Sequence, residues 1–463
     1  MSLPIRHGVA ASERHPQFDV NFADDSPPND SALNAIGLTF SRSGTQTFQN
    51  GYGQIDTAAD GEPAYAKNSD GTTKYGLHME PASTNKIRNT DLDASGSSAN
   101  WQVSDASFDA SENIAAPDAA STSGGGKYIQ GKGGSSSSAA YHVFYEGATL
   151  TDGSGGGAHR NGWSASMFAK KGNVDFIGFA FSSTVKVGAA FDLSDGSIVN
   201  SANCTASVET VGGGWYRLKM ENLQNIGTYG VFAFTPSSSS SLVWNDSGTG
   251  SWYSRSDYHS TTGSGFFTQY VANNLYVWGP QFEDNPTCTS YIPNPSDTAS
   301  GVTRNACTLS CGTMANLQPN STFTKGTFAI NGYRDATGSS AMPTFLEFSD
   351  GSTSDTLGVN ADATKEQLSI YDGSGAFDIE AGDDVARKTL VRMACAYRQA
   401  DYAASLNGAN AVTNTTNVLP SITNLDFGKS YNSGRELNGF LTRFRYWNDR
   451  RLPDGILKRI SAS

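Results

Sequence analysis

Charged residues are scarce in this chain, and acidic residues outnumber basic ones. Only 16% of the 463 residues are charged, and the formal net charge is −12. Binding to a nucleic-acid backbone needs clustered Lys and Arg, so this balance argues against a nucleic-acid partner. Ser, Thr, Asn and Gly must then cover much of the surface, and these residues favour turns over helices. The composition, which includes 50 glycines, therefore predicts an all-β protein.

Long apolar runs and a regular cysteine pattern are also missing. No run of about 18 apolar residues occurs, so no membrane-spanning helix is expected, and the first twenty residues lack the apolar segment of a signal peptide. The five cysteines are odd in number and irregularly spaced, which argues against a disulfide framework. Cys307 and Cys311 leave a zinc site as an alternative, but reduced, buried thiols are the simpler interpretation. We therefore expect folding in a reducing cytoplasm.

The length and the local composition predict two modules and an arm. A chain of 463 residues exceeds the usual size of one hydrophobic core. Residues 1–36 lack periodicity and are rich in Pro, Asp and Asn, so we expect an extended arm that attaches to a larger partner. Two batches of short strands follow, joined near residue 300 by a turn-rich segment. We predict two tandem antiparallel β-sandwiches, over residues 37–300, with long Ser/Gly loops, and over residues 301–463.

Several short stretches give local predictions. In "GWYRLKM" (214–220), Tyr216, Leu218 and Met220 alternate with Trp215, Arg217 and Lys219, which predicts a strand with one buried face. Asn407-Gly408 lies between two strand-like runs and accepts the positive φ angles of a type I′ hairpin turn. "PDGILKRIS" near the end predicts a short helix. Of the histidines, His78 and His142 fall in strand-like segments and are expected to be packing residues.

The stretch "LYVWGPQFEDNPTCTSYIPNP" (275–295) is interpreted as a structural latch that closes the first sandwich and leads into the second. Residues Leu275 and Val277 alternate with Tyr276 and Trp278, and Gly279 permits a sharp break. Glu283 is predicted either to accept hydrogen bonds from the following turn or to pair with Arg304. The latch residues are Trp278, Gly279, Gln281, Glu283, Tyr291, Pro293 and Arg304.

Residues 242–259, "LVWNDSGTGSWYSRSDYH", combine aromatic rings with hydrogen-bonding groups in a polar loop. Exposed aromatic residues of this kind are typical of binding surfaces, and rings can stack on sugars while polar groups bind their hydroxyls. The alternative is that the rings pack on the end of the sandwich or on a neighbouring subunit. The glycan-binding candidates are Trp244, Asn245, Trp252, Tyr253, Arg255, Asp257, Tyr258 and His259, with Asp246 beside them.

Catalytic and metal sites find less support in the sequence. A glycosidase needs two carboxylates across a cleft, and the Glu-x-Asp-x-Glu type of run that places carboxylates on one strand face is missing. We therefore predict that the chain is not an enzyme and needs no cofactor. Asp350 and Asp355 share one loop in "EFSDGSTSDTLG", where carboxylates and carbonyls could hold Ca²⁺, although Asp-Gly is above all a turn signal.

Together, these motifs resemble virion proteins of bacteriophages and prophages, of the tail-fibre or head-fibre type. The similarity lies in Trp-Gly-x-Gln-x-Glu (278–283), Thr-Ser-Tyr-Ile-Pro (289–293), Thr303-Arg304, the segment with Glu80, Thr84 and Asn85, and "GGGWYRLKM". The part from residue 394 to the end resembles a concanavalin A-like or laminin-G-like jelly roll.

This resemblance implies a protein made in the host cytoplasm and displayed on the virion surface. It would be a homo-oligomer, which we expect to be a trimer, held to other virion proteins by its arm, with no membrane insertion. Its sandwiches would recognise a host-surface glycan. The alternatives are a purely architectural capsid-decorating or tail protein, and a polysaccharide depolymerase.

Overall fold

The computed structural model of the chain describes residues 15–67, 73–87, 90, 92, 101–104, 106–108, 113–118, 125–131, 142–146, 162–183, 187–223, 226–235, 274–294, 301–312, 314, 317, 323–335, 342–361, 365–383, 385–431 and 435–463.

The N-terminal segment is folded from Phe18 onward. Helix α1 (Asp30–Ala35) begins after Asn29, whose side chain accepts a hydrogen bond from the Ala32 N–H at 2.9 Å and so caps the helix. The strands of this segment are β1 (Phe18–Asn21), β2 (Thr39–Ser41), β3 (Gln46–Gln49), β4 (Ile55–Ala58), β5 (Tyr65–Lys67), β6 (Lys74–Met79) and β7 (Ser83–Asn85).

The central segment consists of antiparallel strands. A short 3₁₀ turn, Gly212–Gly214, joins two of them. The strands are β8 (Trp101–Ser104), β9 (Ala106–Phe108), β10 (Lys127–Gly131), β11 (His142–Glu146), β12 (Trp163–Lys171), β13 (Phe176–Ser183), β14 (Gly188–Asp192), β15 (Ser197–Ala202), β16 (Thr205–Val211), β17 (Trp215–Leu223), β18 (Ile226–Thr235) and β19 (Asn274–Glu283).

The C-terminal segment adds further strands and the predicted terminal helix, α2 (Asp454–Ser461). The predicted hairpin turn is confirmed, because Asn407 and Gly408 have φ angles of 46° and 79°. The strands are β20 (Val302–Arg304), β21 (Thr308–Cys311), β22 (Lys325–Arg334), β23 (Thr344–Ser349), β24 (Asp355–Ala361), β25 (Lys365–Asp372), β26 (Ala376–Asp383), β27 (Val391–Arg398), β28 (Tyr402–Leu406), β29 (Val412–Asn414), β30 (Asn424–Phe427) and β31 (Gly439–Asn448).

One β-sandwich is built from both ends of the chain, and we call it the terminal sandwich. Its sheet I has the strand order β29-β28-β27-β22-β31-β6-β5, with β1 also paired to β31, and its sheet II has the order β2-β21-β30-β23-β24-β25-β26. The inward side chains of both sheets form a single apolar cluster. Phe328 of sheet I packs on Phe348 of sheet II with 5.2 Å between ring centres. Helix α2 covers the other face of sheet I, where the small residues Ala394 and Ala396 make room for Leu457 and Ile460.

A second β-sandwich, the inserted sandwich, lies between these two ends in sequence. Its sheet III has the order β16-β17-β12-β19-β10-β9, with β7 and β20 joined at β19, and its sheet IV has the order β15-β14-β13-β18-β11-β8. Side chains such as Met167 and Leu218 from sheet III and Ile177 from sheet IV form its core. The fold is thus all-β with two antiparallel sandwiches, as the composition and strand patterns predict.

The division of the chain differs from the predicted one. Residues 18–36 are not an extended arm, because Phe18 pairs with Tyr446 in sheet I and Leu33 is buried in the terminal core. The predicted tandem order is also wrong, since β2, β5 and β6 belong to the terminal sandwich. The inserted sandwich therefore interrupts the terminal one. The chain leaves the terminal sandwich after β6 and returns to it after β20.

The cysteines are reduced thiols, as expected. All five cysteines are free thiols, and four of them are buried. Among the described residues, no helix is long and apolar enough to span a membrane.

Candidate functional site

The predicted latch lies where the two sandwiches meet. Trp278 packs on Tyr291 and on Phe168, with 4.6 Å and 5.0 Å between ring centres. Gly279 has a φ angle of +56°, and it lies opposite the register shift in β12 between Ser166 and Phe168. A Cβ atom at this position would approach the Tyr291 ring to 3.1 Å. The glycine therefore lets β19 bend while the aromatic rings close over it.

Glu283 binds the turn that follows it. Its carboxylate accepts hydrogen bonds from the Thr289 N–H at 3.0 Å, the Thr289 hydroxyl at 2.5 Å and the Ser83 hydroxyl at 2.6 Å. Burial raises the pKa of this carboxyl group, although these hydrogen bonds counteract the effect. Of the two roles predicted for Glu283, the structure shows the hydrogen bonds to the turn and not the pair with Arg304.

Gln281 and Pro293 hold the rest of the latch in place. The Gln281 amide donates to the Ser290 carbonyl at 3.1 Å and accepts from the Ile292 N–H at 2.5 Å. Pro293 is half-buried between two buried residues. The Thr47 hydroxyl from β3 donates to the Tyr291 carbonyl at 2.9 Å, which fastens the N-terminal segment to the latch.

Arg304 pairs with Glu80 at the point where the chain crosses between the sandwiches. The guanidinium Nη1 lies 3.1 Å from Glu80 Oε2, and both side chains are 1% exposed. The carboxylate also accepts hydrogen bonds from the Ser290 N–H and hydroxyl and from the Gln46 amide. Burial opposes ionisation of Glu80, but the Arg304 charge, His78 and the Ser290 hydrogen bonds outweigh it and lower the pKa to about 2.

A network of charges spans the two sandwiches beside the latch. Lys219 of β17 lies 2.7 Å from Glu209 and 3.4 Å from Asp335. Arg387 pairs with Asp335 at 3.0 Å and donates to Glu221 at 2.9 Å. Burial opposes ionisation of Asp335, but Lys219, Lys388 and Arg387 outweigh it and hold its pKa well below the usual value. We call the set Glu209, Lys219, Glu221, Asp335, Arg387 and Lys388 the junction network.

A cleft of about 280 Å³ opens between the sandwiches above this network. Rings line one side: Tyr75 and His78 of β6 stack on Phe440 of β31 at 5.0 Å and 4.5 Å. Tyr75 is half-buried. The opposite side comes from β16, β17 and the latch. The lining of this junction cleft includes Thr47, Phe48, Gln49, Lys67, Tyr75, His78, Glu80, Glu209, Arg217, Lys219, Ser290, Asp335, Lys388 and Phe440.

His78 lines the cleft and contains a buried nitrogen without a hydrogen-bond partner among the described residues. Burial lowers the pKa of the ring, although Glu80 acts in the opposite direction, so the imidazole is neutral at pH 7. Nε2 lies 3.3 Å from Glu80 Oε1, so we assign the proton to this nitrogen. Nδ1 is buried and has no hydrogen-bond partner. The strand position predicted for His78 is confirmed, and the residue contributes to the cleft as well as to packing.

The predicted glycan-binding residues fall outside the described part of the chain. All of residues 242–259, from Trp244 to His259, lie in this category, so their role remains a prediction.

The predicted calcium ligands serve turns. Asp350 accepts hydrogen bonds from the Ser352 N–H and hydroxyl at 2.8 Å and 2.7 Å, and Asp355 accepts from the Ser421 N–H at 2.8 Å. The described residues contain no group of three or more His, Cys, Asp or Glu side chains that could hold a metal ion. The hydrogen bonds of Asp350 and Asp355 agree with the Asp-Gly turn signal, and the calcium site stays a prediction.

The junction cleft was missed in the sequence because its residues are scattered along the chain. One feature of the sequence, a pair of cations on strand β17, could have indicated the cleft. Arg217 and Lys219 occupy the face of β17 opposite the core, and both are buried, at 6% and 1% exposure. The predicted alternation is confirmed, but the second face of the strand is covered as well. In a chain with few charged residues, two cations on the outer face of one strand indicate that this face contributes to the junction.

Comparisons with known proteins leave the function open. No protein-family model and no curated protein matches the chain. Among solved structures, it is similar to the Ruminococcus gnavus IT-sialidase CBM40 bound to α2,3-sialyllactose, with 14% identity, a TM-score of 0.27, and 30% of this chain and 83% of that chain covered.

Two further solved structures are similar over comparable parts of the chain. Domain 4 of a GH43 extracellular arabinanase from Geobacillus stearothermophilus, in complex with arabinotriose, has 7% identity and a TM-score of 0.28, and the match covers 34% of this chain and 73% of that one. A SAP-like pentraxin from Limulus polyphemus has 12% identity and a TM-score of 0.24, with coverage of 30% and 69%.

Proposed function

We propose that this chain is a non-enzymatic, glycan-binding protein of a bacteriophage particle. The observation that carries the glycan-binding part is the junction cleft, where the stacked Tyr75, Phe440 and His78 rings lie beside carboxylates, cations and hydroxyl groups. Ligand sites generally combine an apolar wall with a few fixed polar groups. Sugar rings match this combination, because they have apolar faces and hydroxyl edges. The sequence resemblance supports the phage part.

The charges in the cleft support binding rather than hydrolysis. A glycosidase needs one carboxyl group whose raised pKa keeps it protonated as the general acid. Among the described cleft residues, Glu80, Glu209 and Asp335 all have lowered pKa values, because neighbouring cations outweigh the effect of burial. Each carboxylate is thus held ionised. Incubation with bacterial capsular polysaccharides should release no reducing ends, and measurable turnover would refute the proposal.

Titration against a glycan array tests the binding site. Tyr75→Ala removes the half-buried ring of the aromatic wall and should weaken glycan binding about tenfold, which corresponds to about 1.4 kcal/mol. Tyr431→Ala is the matched control, because Tyr431 is 52% exposed and lies outside the cleft lining. Equal loss in both variants, or no glycan bound by the wild-type chain, would contradict the proposed function.

An architectural role without a ligand is the second candidate. The junction network favours it, because ion pairs such as Lys219 with Asp335 connect one sandwich to the other. The two roles separate in a phage that carries Tyr75→Ala. Intact particles with lost host adsorption support recognition, whereas failed assembly supports architecture.

The proposal includes a particle-bound homotrimer made in the host cytoplasm. Attachment to other virion proteins is assigned to residues before Phe18, because β1 is part of sheet I. Analytical ultracentrifugation of the purified chain tests the trimer, and a stable monomer would contradict it.

A further inference from the structure

Arg217 is a buried cation that lines the junction cleft without a carboxylate partner. The residue is 6% exposed. Its Nη2 donates to the Ser166 hydroxyl at 3.0 Å and to the Thr289 carbonyl at 2.5 Å, and Cζ lies 5.5 Å from the centre of the Phe168 ring. Nε has no hydrogen-bond partner. Glu209 and Glu283 influence Arg217 electrostatically, but no carboxylate of the described residues forms an ion pair with it.

Two other buried arginines near the latch have better-compensated charges than Arg217. Arg304 is paired with Glu80 at 3.1 Å. Arg42 is 4% exposed and has no carboxylate partner among the described residues. All three of its nitrogens nevertheless donate: Nε to the Gly44 carbonyl, Nη1 to Gln46 Oε1 and Nη2 to the Ala59 carbonyl, at 2.6–2.8 Å. Arg217 has neither a paired charge nor a full set of acceptors. A buried charge without compensation is strongly unfavourable.

We propose that the junction cleft binds an acidic sugar, whose carboxylate pairs with Arg217 and whose hydroxyl donates to His78 Nδ1. This inference rests on the proposed glycan-binding function and names the class of sugar. A carboxylate accepts charge-assisted N–H bonds from a guanidinium group, and Arg217 has N–H groups beyond the two that Nη2 donates to Ser166 and Thr289. A sugar hydroxyl supplies the donor that the bare Nδ1 of His78 lacks.

The charges of the other lining residues are compatible with a ligand that carries one negative charge. Protein cations form ion pairs with the carboxylates of Glu80, Glu209 and Asp335. By contrast, no carboxylate of the described residues forms an ion pair with Arg217. Lys67, also in the lining, adds a further positive charge. The volume of about 280 Å³ lies at the lower end of the range for small-molecule sites, so the cleft suits one or two sugar rings rather than a long chain.

Pairs of sugars that differ in a carboxylate test this inference on the full chain. The pairs are glucuronate and glucose, galacturonate and galactose, and sialyllactose and lactose, with acetate as the non-sugar acid, each titrated by ligand-observed NMR. At least one acidic member should bind ten times more tightly than its neutral partner, and acetate should bind more weakly than that sugar.

The variant Arg217→Met keeps the packing on Phe168 and removes the charge. It should abolish the preference for the acidic member, whereas Arg443→Met, which removes an arginine paired with Asp19 outside the cleft, should leave it unchanged. If Arg217→Met does not fold, the affinities of the wild-type chain for the acidic and the neutral sugar of each pair still test the inference.

The outcomes separate this inference from the proposed function. Equal affinity within every pair overturns the acidic class but leaves glycan binding in place. If acetate binds as tightly as the best acidic sugar, the site recognises only the carboxylate, and the claim that it recognises a sugar is overturned. The absence of binding by any sugar overturns both proposals.

Discussion

The latch and the junction cleft lie side by side, but they differ in how their buried charges are compensated by the rest of the chain. In the latch, Glu283 accepts three hydrogen bonds from the chain itself, and Arg304 is paired with Glu80, which also lines the cleft. Arg304 retains buried nitrogens without a partner, but its charge is compensated. In the cleft, Arg217 and His78 are also buried, but the charge of Arg217 and the lone pair of His78 Nδ1 are left open.

This difference separates structural polar residues from candidate binding residues. A buried charge normally has a compensating partner, so a latch whose charged groups are paired or hydrogen-bonded within the chain needs no ligand. The motif residues that dominate the sequence resemblance therefore hold the sandwiches together. The candidate binding site consists of less conspicuous residues around them.

The largest expected effect comes from breaking the latch at its ion pair. Glu80→Gln leaves Arg304 buried without its partner, which should cost about 3–5 kcal/mol in the free energy of unfolding. Urea denaturation measures this change. The control Arg443→Gln breaks the partly exposed pair with Asp19 and should cost less than about 1 kcal/mol. A loss of similar size in both variants would show that burial of the Glu80 pair does not matter.

Acid should weaken the same pair in a defined pH range. The pKa of Glu80 falls from 4.5 to about 2 on folding, so its contribution is present above pH 4.5 and is lost as the pH falls toward 2. The contribution is roughly 3 kcal/mol. The unfolding free energy of the wild-type chain should decline more steeply over this range than that of Glu80→Gln. Parallel curves would contradict the lowered pKa.

A smaller effect is expected at the bend of the latch. Gly279→Ala places a Cβ atom at a φ angle of +56° and 3.1 Å from the Tyr291 ring. Gly61→Ala is the matched control, because Gly61 has a φ angle of +77° and no atom within 4 Å of the added Cβ. The control should cost about 1 kcal/mol for the left-handed backbone, and Gly279→Ala should cost more. Equal losses would mean that the ring contact adds nothing.

The smallest effect is expected far from the junction, at the turn first considered for calcium. Asp350→Ala removes two hydrogen bonds to Ser352 and should cost about 1 kcal/mol. Added CaCl₂ should leave the melting temperature of the wild-type chain unchanged. The control Asp378→Ala alters an exposed residue of β26 and should be neutral. A calcium-dependent rise in melting temperature that Asp350→Ala removes would support a calcium site at this turn.

The sequence predicts local features of this fold better than its connections. The alternation in β17, the Asn407-Gly408 turn and helix α2 depend on neighbouring residues and are visible in short windows. The pairing of Phe18 with Tyr446 depends on residues at opposite ends of the chain, so no local pattern shows that the first strands complete the last sandwich. That is why the first sandwich does not begin at residue 37 as predicted, whereas the return to the terminal sandwich after β20 lies close to the predicted joint near residue 300.

The latch and the junction cleft also differ in how well the sequence predicts them. The latch residues lie close together in sequence and form a recognisable motif. The cleft joins Tyr75 and His78 to Arg217, Asp335 and Phe440, which are widely separated positions on different strands. Their proximity depends on the insertion of one sandwich into the other, and composition or periodicity cannot reveal it.

A crystal structure of the chain soaked with the best-binding acidic sugar would show where the ligand binds. We expect the sugar in the junction cleft, with its carboxylate on Arg217 and a ring face near Tyr75. A sugar bound instead at residues 242–259, with the cleft left empty, would contradict it.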